Sequence, residues 1–127
     1  MPKILDARRA HDALCLDIRD AVNASGLAVL FRNDAIYDGR TQRRPPWGLG
    51  SPDLVGYLIG SGRCCGIEVK TGDGKLSREQ RCWHGAAQRG GVLVVEARSV
   101  DEAMWLLKLH TIYQYRPIAK TRGRRNT

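Results

Sequence analysis

The spacing of apolar residues changes along the first third of the chain, from a helical to a strand-like pattern. In residues 4–25, Leu14, Ile18 and Val22 recur four positions apart, which predicts a helix with one apolar face. The short apolar run at 27–32 predicts a strand. The sequence therefore predicts a helix followed directly by a strand.

The next two segments predict a long loop and a hairpin. Residues 33–50 are rich in Arg, Pro and Gly, and a loop of this length is more often functional than structural. Two apolar segments follow within 53–70, and the Gly60-Ser61 pair between them predicts a two-residue turn. The alternative turn, Ser61-Gly62, shifts the register by two residues and keeps the same face.

Capping signals and one apolar run predict the remaining elements. Ser77 with Gln80 forms a capping box that begins a helix, and Ser99 with Glu102 begins another. Between them, 91–97 is a continuous apolar strand. The predicted order is α-β-β-β-α-β-α, with the fourth strand parallel to the third through a crossover helix, which gives a mixed sheet flanked by helices in an α/β fold.

Opposite charges lie on one face of the second hairpin strand. Glu68 and Lys70 are two positions apart and share a face, while Ile67 and Val69 share the other. With the Gly60-Ser61 turn, Asp53 lies opposite Glu68. Facing carboxylates repel unless a cation lies between them, so the pattern predicts a metal site beside a lysine. For the same reason, Asp53→Asn is expected to stabilise the metal-free protein.

These motifs, in this order and spacing, resemble the PD-(D/E)XK nucleases, and in particular the virus-type replication-repair nuclease (VRR-NUC) family. The resemblance covers about residues 9–110. The segments that carry it are Gly50-Ser51-Pro52-Asp53-Leu54, Ile67-Glu68-Val69-Lys70, and Gly74-Lys75-Leu76-Ser77 with Gln80, then Gly90 and Ser99.

The resemblance implies a restriction-endonuclease-like core and a metal-dependent deoxyribonuclease that hydrolyses phosphodiester bonds. It implies that Asp53, Glu68 and the Val69 carbonyl hold Mg²⁺, for which Mn²⁺ would substitute. Lys70 would orient the attacking water and offset charge on the phosphate. Gln80 would point at the catalytic centre, although the capping box competes for the same side chain.

The first predicted helix departs from the family at one position. The family often supplies an acidic residue from this helix, and the matching position here falls near His11. Asp12 points away from the apolar face and Asp17 borders it. The third ligand, and with it the choice between one metal ion and two, stays open.

The charge distribution favours a polyanion as partner. The net charge is +8 and the pI about 9.8. Arg40, Arg43, Arg44 and Lys75 are the expected DNA contacts. Residues 116–127 carry five basic residues and no acid, and are predicted to be a mobile tail that either contacts DNA or serves solubility.

The chain length predicts a single domain, which the resemblance implies is a nuclease domain over 1–115, with a short strand at 111–115. The four cysteines contain no C-x-x-C pair, and the first residues do not resemble a signal peptide; we expect buried, reduced thiols in a bacterial or phage-infected cytoplasm. The family's small members act as homodimers on branched DNA, so the resemblance implies a dimeric repair endonuclease for Holliday junctions or flaps.

Three other functions compete with this hypothesis. The alternative kept is a non-catalytic basic DNA-binding module that retains the nuclease fold; the carboxylate pair argues against it. A structural basic protein would spread its charge evenly, without an acidic cluster. A nucleotide-binding enzyme is suggested by Gly72-Asp73-Gly74-Lys75, but that run lacks the G-x-x-x-x-G-K-[ST] spacing.

Overall fold

The predicted order of helices and strands is confirmed in a computed structural model that describes residues 2–34 and 45–114. Its elements form an α/β fold with a four-stranded mixed sheet in the order β1-β2-β3-β4. In chain order they are α1 (Pro2–Ser25), β1 (Ala28–Arg32), β2 (Leu54–Leu58), β3 (Cys64–Val69), α2 (Arg78–Arg89), β4 (Leu93–Ala97) and α3 (Val100–Gln114).

The hairpin register is the predicted one. β2 and β3 run antiparallel with Leu54 opposite Ile67, and the same register continued by one residue sets Asp53 opposite Glu68. The predicted two-residue turn is wrong: β2 and β3 are joined by a five-residue loop, 59–63. A shift of two residues, as the alternative turn required, does not occur.

The parallel crossover is also confirmed. β3 and β4 are paired in parallel, and α2 connects them. Ser77 caps α2 with the complete capping box, because its hydroxyl accepts from the Gln80 N–H while the Gln80 side chain accepts from the Ser77 N–H. At the start of α3, Ser99 accepts from the Glu102 N–H.

The main core lies between one face of the sheet and the pair α1 and α3, while α2 packs on the other face. Every strand and both of these helices contribute apolar side chains to it, and most of these are fully buried. The core residues are Cys15, Ile18, Val22, Ala28, Leu30, Leu54, Leu58, Cys65, Ile67, Val69, Leu93, Val95, Ala97, Ala103 and Leu107.

Two local predictions are wrong. The strand expected at 111–115 does not form, because α3 continues through Gln114, and the Thr111 hydroxyl donates to the Leu107 carbonyl at 2.6 Å. The β-branched and aromatic residues there favoured a strand, but continuation of a helix already packed on the core prevailed.

All four cysteines are free thiols, yet Cys82 is exposed rather than buried. Within the described ranges, no helix has the length and apolar character to cross a membrane.

Gly50 allows the loop before β2 to approach the start of α2. Its φ is +88°, and a Cβ there would overlap the Glu79 carbonyl. Gly60, in the hairpin loop, has a φ of +100° but open space around it. Both glycines have a positive φ, but only at Gly50 would a Cβ overlap a neighbour. Comparing the two positions therefore separates backbone strain from steric overlap.

We therefore predict that Gly50→Ala costs much more stability than Gly60→Ala. Gly60→Ala adds only backbone strain, about 1 kcal/mol. Gly50→Ala adds the overlap with α2, for a total of about 3 kcal/mol or more. Urea unfolding of both variants measures the difference. Equal losses would mean that the loop does not rest on α2.

Candidate functional site

Asn33, just after β1, fixes the turn that presents Asp53. Its buried side-chain amide donates to the Ser51 hydroxyl at 2.7 Å and to the Pro52 carbonyl at 2.8 Å. Its backbone N–H donates to the Asp53 carbonyl at 2.9 Å. These bonds hold the Ser-Pro-Asp turn beside the sheet. Sequence reasoning missed Asn33, because an asparagine at the start of a long loop gives no sign of its distant partners.

Asp53 is held by a backbone group of β3 and by a side chain of α1. Its Oδ2 accepts from the Val69 N–H at 2.8 Å and lies 3.4 Å from His11 Nε2. The same His11 nitrogen is 3.0 Å from the Val69 carbonyl oxygen. The position where the resembled family carries an acid therefore brings an imidazole into the site.

The contact between His11 and Asp53 shifts the pKa of both groups. Burial alone would raise the pKa of Asp53, but hydrogen bonding from His11 and from the Val69 N–H, together with the His11 charge, holds it below its usual range. The pKa of His11 rises to about 11, chiefly because its side chain is hydrogen bonded to Asp53 and also contacts Cys15. The contact therefore favours the charged form of each group in the metal-free protein.

Glu68 is the more deeply buried carboxylate, with 2% of its surface exposed. Its Oε2 accepts from the Gln80 side-chain amide at 2.9 Å and lies 3.7 Å from Lys70 Nζ. Its Oε1 is buried and has no hydrogen-bond partner among the described residues. Burial raises the pKa of Glu68 and the Asp53 charge raises it further, against the opposing effects of His84 and Lys70.

Gln80 caps α2 and also contacts Lys70 and Glu68. Its Oε1 accepts both from the Ser77 N–H at 2.8 Å and from Lys70 Nζ at 3.0 Å, while its amide nitrogen donates to Glu68. A carbonyl oxygen has two lone pairs, so one side chain caps α2 and also orients Lys70.

His84 is a neighbour of Glu68 that sequence reasoning missed. Its Nε2 lies 3.7 Å from Glu68 Oε1, and the ring is buried. Neither atom has a hydrogen-bond partner within the described chain. The signal was present in the sequence: His84 follows Gln80 by four residues, so both lie on the face of α2 that meets β3.

The donor set fits a divalent cation. Asp53, Glu68 and the Val69 carbonyl offer oxygen ligands of the kind that Mg²⁺ prefers, and Glu68 Oε1 is a buried carboxylate oxygen without a hydrogen-bond partner among the described residues. Ligand atoms of His11, Cys15 and Asp53 also lie within 4.8 Å of one another. Nitrogen and sulfur donors therefore adjoin the oxygen set.

A cleft of about 620 Å³ opens beside Asp53, and a second pocket of about 390 Å³ adjoins Lys70. Arg8 and His11 line both. Arg32 also lines the larger cleft, where it binds Asp34 at 2.6 Å. Arg8, on the exposed side of α1, is a cation at the site that the sequence analysis did not name.

Of the predicted DNA contacts, one lies among the described residues. Lys75 is exposed in the loop between β3 and α2. Arg40, Arg43 and Arg44 lie outside the described residues, as does the basic tail 116–127. Their proposed role stays a prediction.

Comparison with known proteins adds no relative. No protein-family model matches the chain, and neither a curated protein nor a solved structure matches it. The site must therefore be interpreted from its own geometry.

We predict that neutralising the two carboxylates has opposite effects on the metal-free protein. The lowered pKa of Asp53 means that its charge stabilises the fold above the usual carboxyl range, and that this stability is lost as pH falls through the folded pKa. The raised pKa of Glu68 means the reverse: its protonated form favours folding at low pH, and that stability is lost as pH rises through the folded pKa.

At neutral pH in EDTA, Glu68→Gln should raise the melting temperature and Asp53→Asn should lower it. Relief of the repulsion between the carboxylates is therefore expected to stabilise Glu68→Gln, and not Asp53→Asn as the sequence alone predicted. The difference for Glu68→Gln should shrink as pH falls through the carboxyl range, and the difference for Asp53→Asn only at lower pH, because the pKa of Asp53 is lowered. Thermal melts monitored by circular dichroism measure both. A stabilised Asp53→Asn protein would contradict the proposed pairing with His11.

Proposed function

We propose that the protein is a metal-dependent DNA endonuclease with a PD-(D/E)XK core. One observation carries the proposal: Asp53, just before β2, lies beside Glu68 and Lys70 at the end of β3, and Gln80 of α2 joins the last two. A non-catalytic binder gains nothing from two adjacent carboxylates, because they repel both each other and DNA phosphates.

The chain's own groups divide the work of phosphodiester hydrolysis. Asp53, Glu68 and the Val69 carbonyl would hold the ion, which when bound supplies an activated water and a positive charge for the scissile phosphate. Lys70 is fixed by the Gln80 carbonyl oxygen at 3.0 Å. This contact supports a role in which the ammonium would orient the water and stabilise negative charge that develops on the phosphate.

The substrate we propose is branched DNA, a Holliday junction or a flap, bound by a homodimer. This rests on the resemblance to the small VRR-NUC proteins together with the net charge of +8. A symmetric dimer carries two equivalent sites, which suits paired cuts in two strands of a junction. Arg8 is exposed at the cleft, and Lys75 is exposed shortly after Lys70 in the chain. Both offer cations for the phosphate backbone.

Removal of the central side chains should abolish cleavage and leave binding. We expect Asp53→Ala, Glu68→Ala and Lys70→Ala each to lower the cleavage rate by about 100-fold or more, because each removes charge stabilisation at the reacting phosphate. The assay uses labelled linear, flap, fork and four-way DNA, with and without Mg²⁺ or Mn²⁺.

Matched controls are Asp101→Ala and Lys108→Ala, exposed charges on α3. They should cleave as wild type does. Ordinary turnover by the Asp53, Glu68 or Lys70 variants would end the nuclease proposal. Binding without cleavage by the wild type, in either metal, would favour the non-catalytic DNA-binding module.

The loop arginines should control affinity through phosphate contacts. We expect Arg43→Ala with Arg44→Ala to weaken DNA binding and to flatten the slope of log affinity against log salt by about two units, one for each lost contact. Deleting 120–127 should weaken binding less and leave cleavage at saturating DNA unchanged. Fluorescence anisotropy across a salt series measures the slopes.

The control for the double variant is Arg89→Ala with Lys108→Ala. These residues are exposed at the end of α2 and on α3. Their substitution therefore removes the same amount of positive charge as the loop variant, at positions away from the cleft. A loop variant with the wild-type slope would reduce Arg43 and Arg44 to solvated surface, and the DNA path would have to be sought on another face.

A further inference from the structure

The first helix brings a nitrogen to the proposed metal centre. His11 Nε2 lies 3.0 Å from the Val69 carbonyl oxygen and 3.4 Å from Asp53 Oδ2. Two atoms that bind one ion at about 2.1 Å each are roughly 3.0 Å apart at a right angle and roughly 3.4 Å apart at a tetrahedral angle. Both distances from His11 Nε2 therefore match the separations of two ligands on a common ion.

Cys15 is not part of that set, although it is the third member of the cluster. Its Sγ lies 3.9 Å from both His11 Nδ1 and Nε2. An atom equidistant from both nitrogens does not lie along the lone pair of either, so it does not share an ion placed at Nε2. Cys15 is fully buried in the core and contacts the ring from one turn away. Its role is to pack against the imidazole.

Oxygen-only centres suit Mg²⁺, whereas an imidazole nitrogen suits first-row transition ions. We propose that a metal ion displaces the proton that His11 Nε2 donates to the Val69 carbonyl, that Nε2 then binds the ion together with Asp53 and that carbonyl, and that the nitrogen makes the centre select Mn²⁺ over Mg²⁺. The inference rests on the proposed function for the other ligands. It reverses the order implied by the family resemblance, in which Mg²⁺ is the ion and Mn²⁺ its substitute.

The competing explanation is that His11 occupies the site as a cation and must leave before a metal enters. The two explanations predict opposite effects of removing the ring. A ligand's loss weakens Mn²⁺ binding, and a competitor's loss strengthens it. Metal titration of the DNA-free protein therefore distinguishes them without reference to cleavage.

Isothermal titration calorimetry of the full chain with Mn²⁺ and with Mg²⁺ is the test. We expect wild type to bind Mn²⁺ at least about tenfold more tightly than Mg²⁺, and His11→Ala to lose about 10- to 100-fold in Mn²⁺ affinity. His11→Glu supplies an oxygen ligand instead, so the preference for Mn²⁺ should narrow. His110→Ala, which removes a histidine on α3, should bind both ions as wild type does.

Pulsed EPR of bound Mn²⁺ gives a direct readout of the nitrogen ligand. A ¹⁴N coupling should appear in wild type and His110→Ala and be absent from His11→Ala. His11→Gln keeps a donor for the Val69 carbonyl but has no imidazole, so it should also lack the coupling. Retention of the coupling in His11→Ala would move the nitrogen ligand to another residue, with His84 beside Glu68 as the nearest choice, and would overturn the assignment.

Three further outcomes would overturn the inference: equal Mn²⁺ and Mg²⁺ affinity in wild type, unchanged Mn²⁺ binding in His11→Ala, or tighter Mn²⁺ binding in that variant. Because the titration contains no DNA, its result is separable from the proposed activity. A protein that binds Mn²⁺ through His11 and cuts no DNA would retain this inference and overturn the nuclease. A protein that cuts DNA but binds Mn²⁺ equally well after His11→Ala would retain the nuclease and overturn this inference.

Discussion

The pairing register of β2 and β3 is the constraint on which the candidate site depends. It sets Asp53 opposite Glu68 and aligns the Val69 N–H with the Asp53 carboxylate at 2.8 Å. Two adjacent carboxylates beside a core are costly, and the surrounding elements supply the compensation. α1 brings His11, α2 brings Gln80, and β3 leads into Lys70. A slip of one residue would turn Glu68 to the opposite face and separate the set.

The two carboxylates are compensated unequally, and this gives them different properties. Asp53 receives a backbone N–H and an imidazole, so its pKa falls and it stays charged. Glu68 is buried beside that charge, so its pKa rises despite Lys70 and His84. Glu68 therefore gains most from a cation, because the ion would offset both its burial and the repulsion from Asp53. The energetic case for a metal rests on Glu68 more than on Asp53.

Much of the fold and half of the site could be predicted because they follow from local rules. A period of two fixed which face carries Glu68 and Lys70, and the hairpin fixed their partner, although the loop is longer than the predicted turn. The capping box located α2. Asn33 escaped this reasoning, because its role comes from contacts with a distant segment that no spacing encodes. The resemblance located His11 at a ligand position, but its contacts with Asp53 and Val69 were not predicted. His84 was within reach of the helical period from Gln80.

Gln80 shows how closely folding and chemistry are joined in this chain. Its carbonyl oxygen accepts from the Ser77 N–H and from Lys70, and its amide donates to Glu68. The same side chain therefore caps the start of α2, orients Lys70 and hydrogen bonds to the buried Glu68. A glutamate would serve the cap and the lysine equally well, but it could not donate to Glu68 and would add a third negative charge. The glutamine is required by the carboxylate pair rather than by the helix.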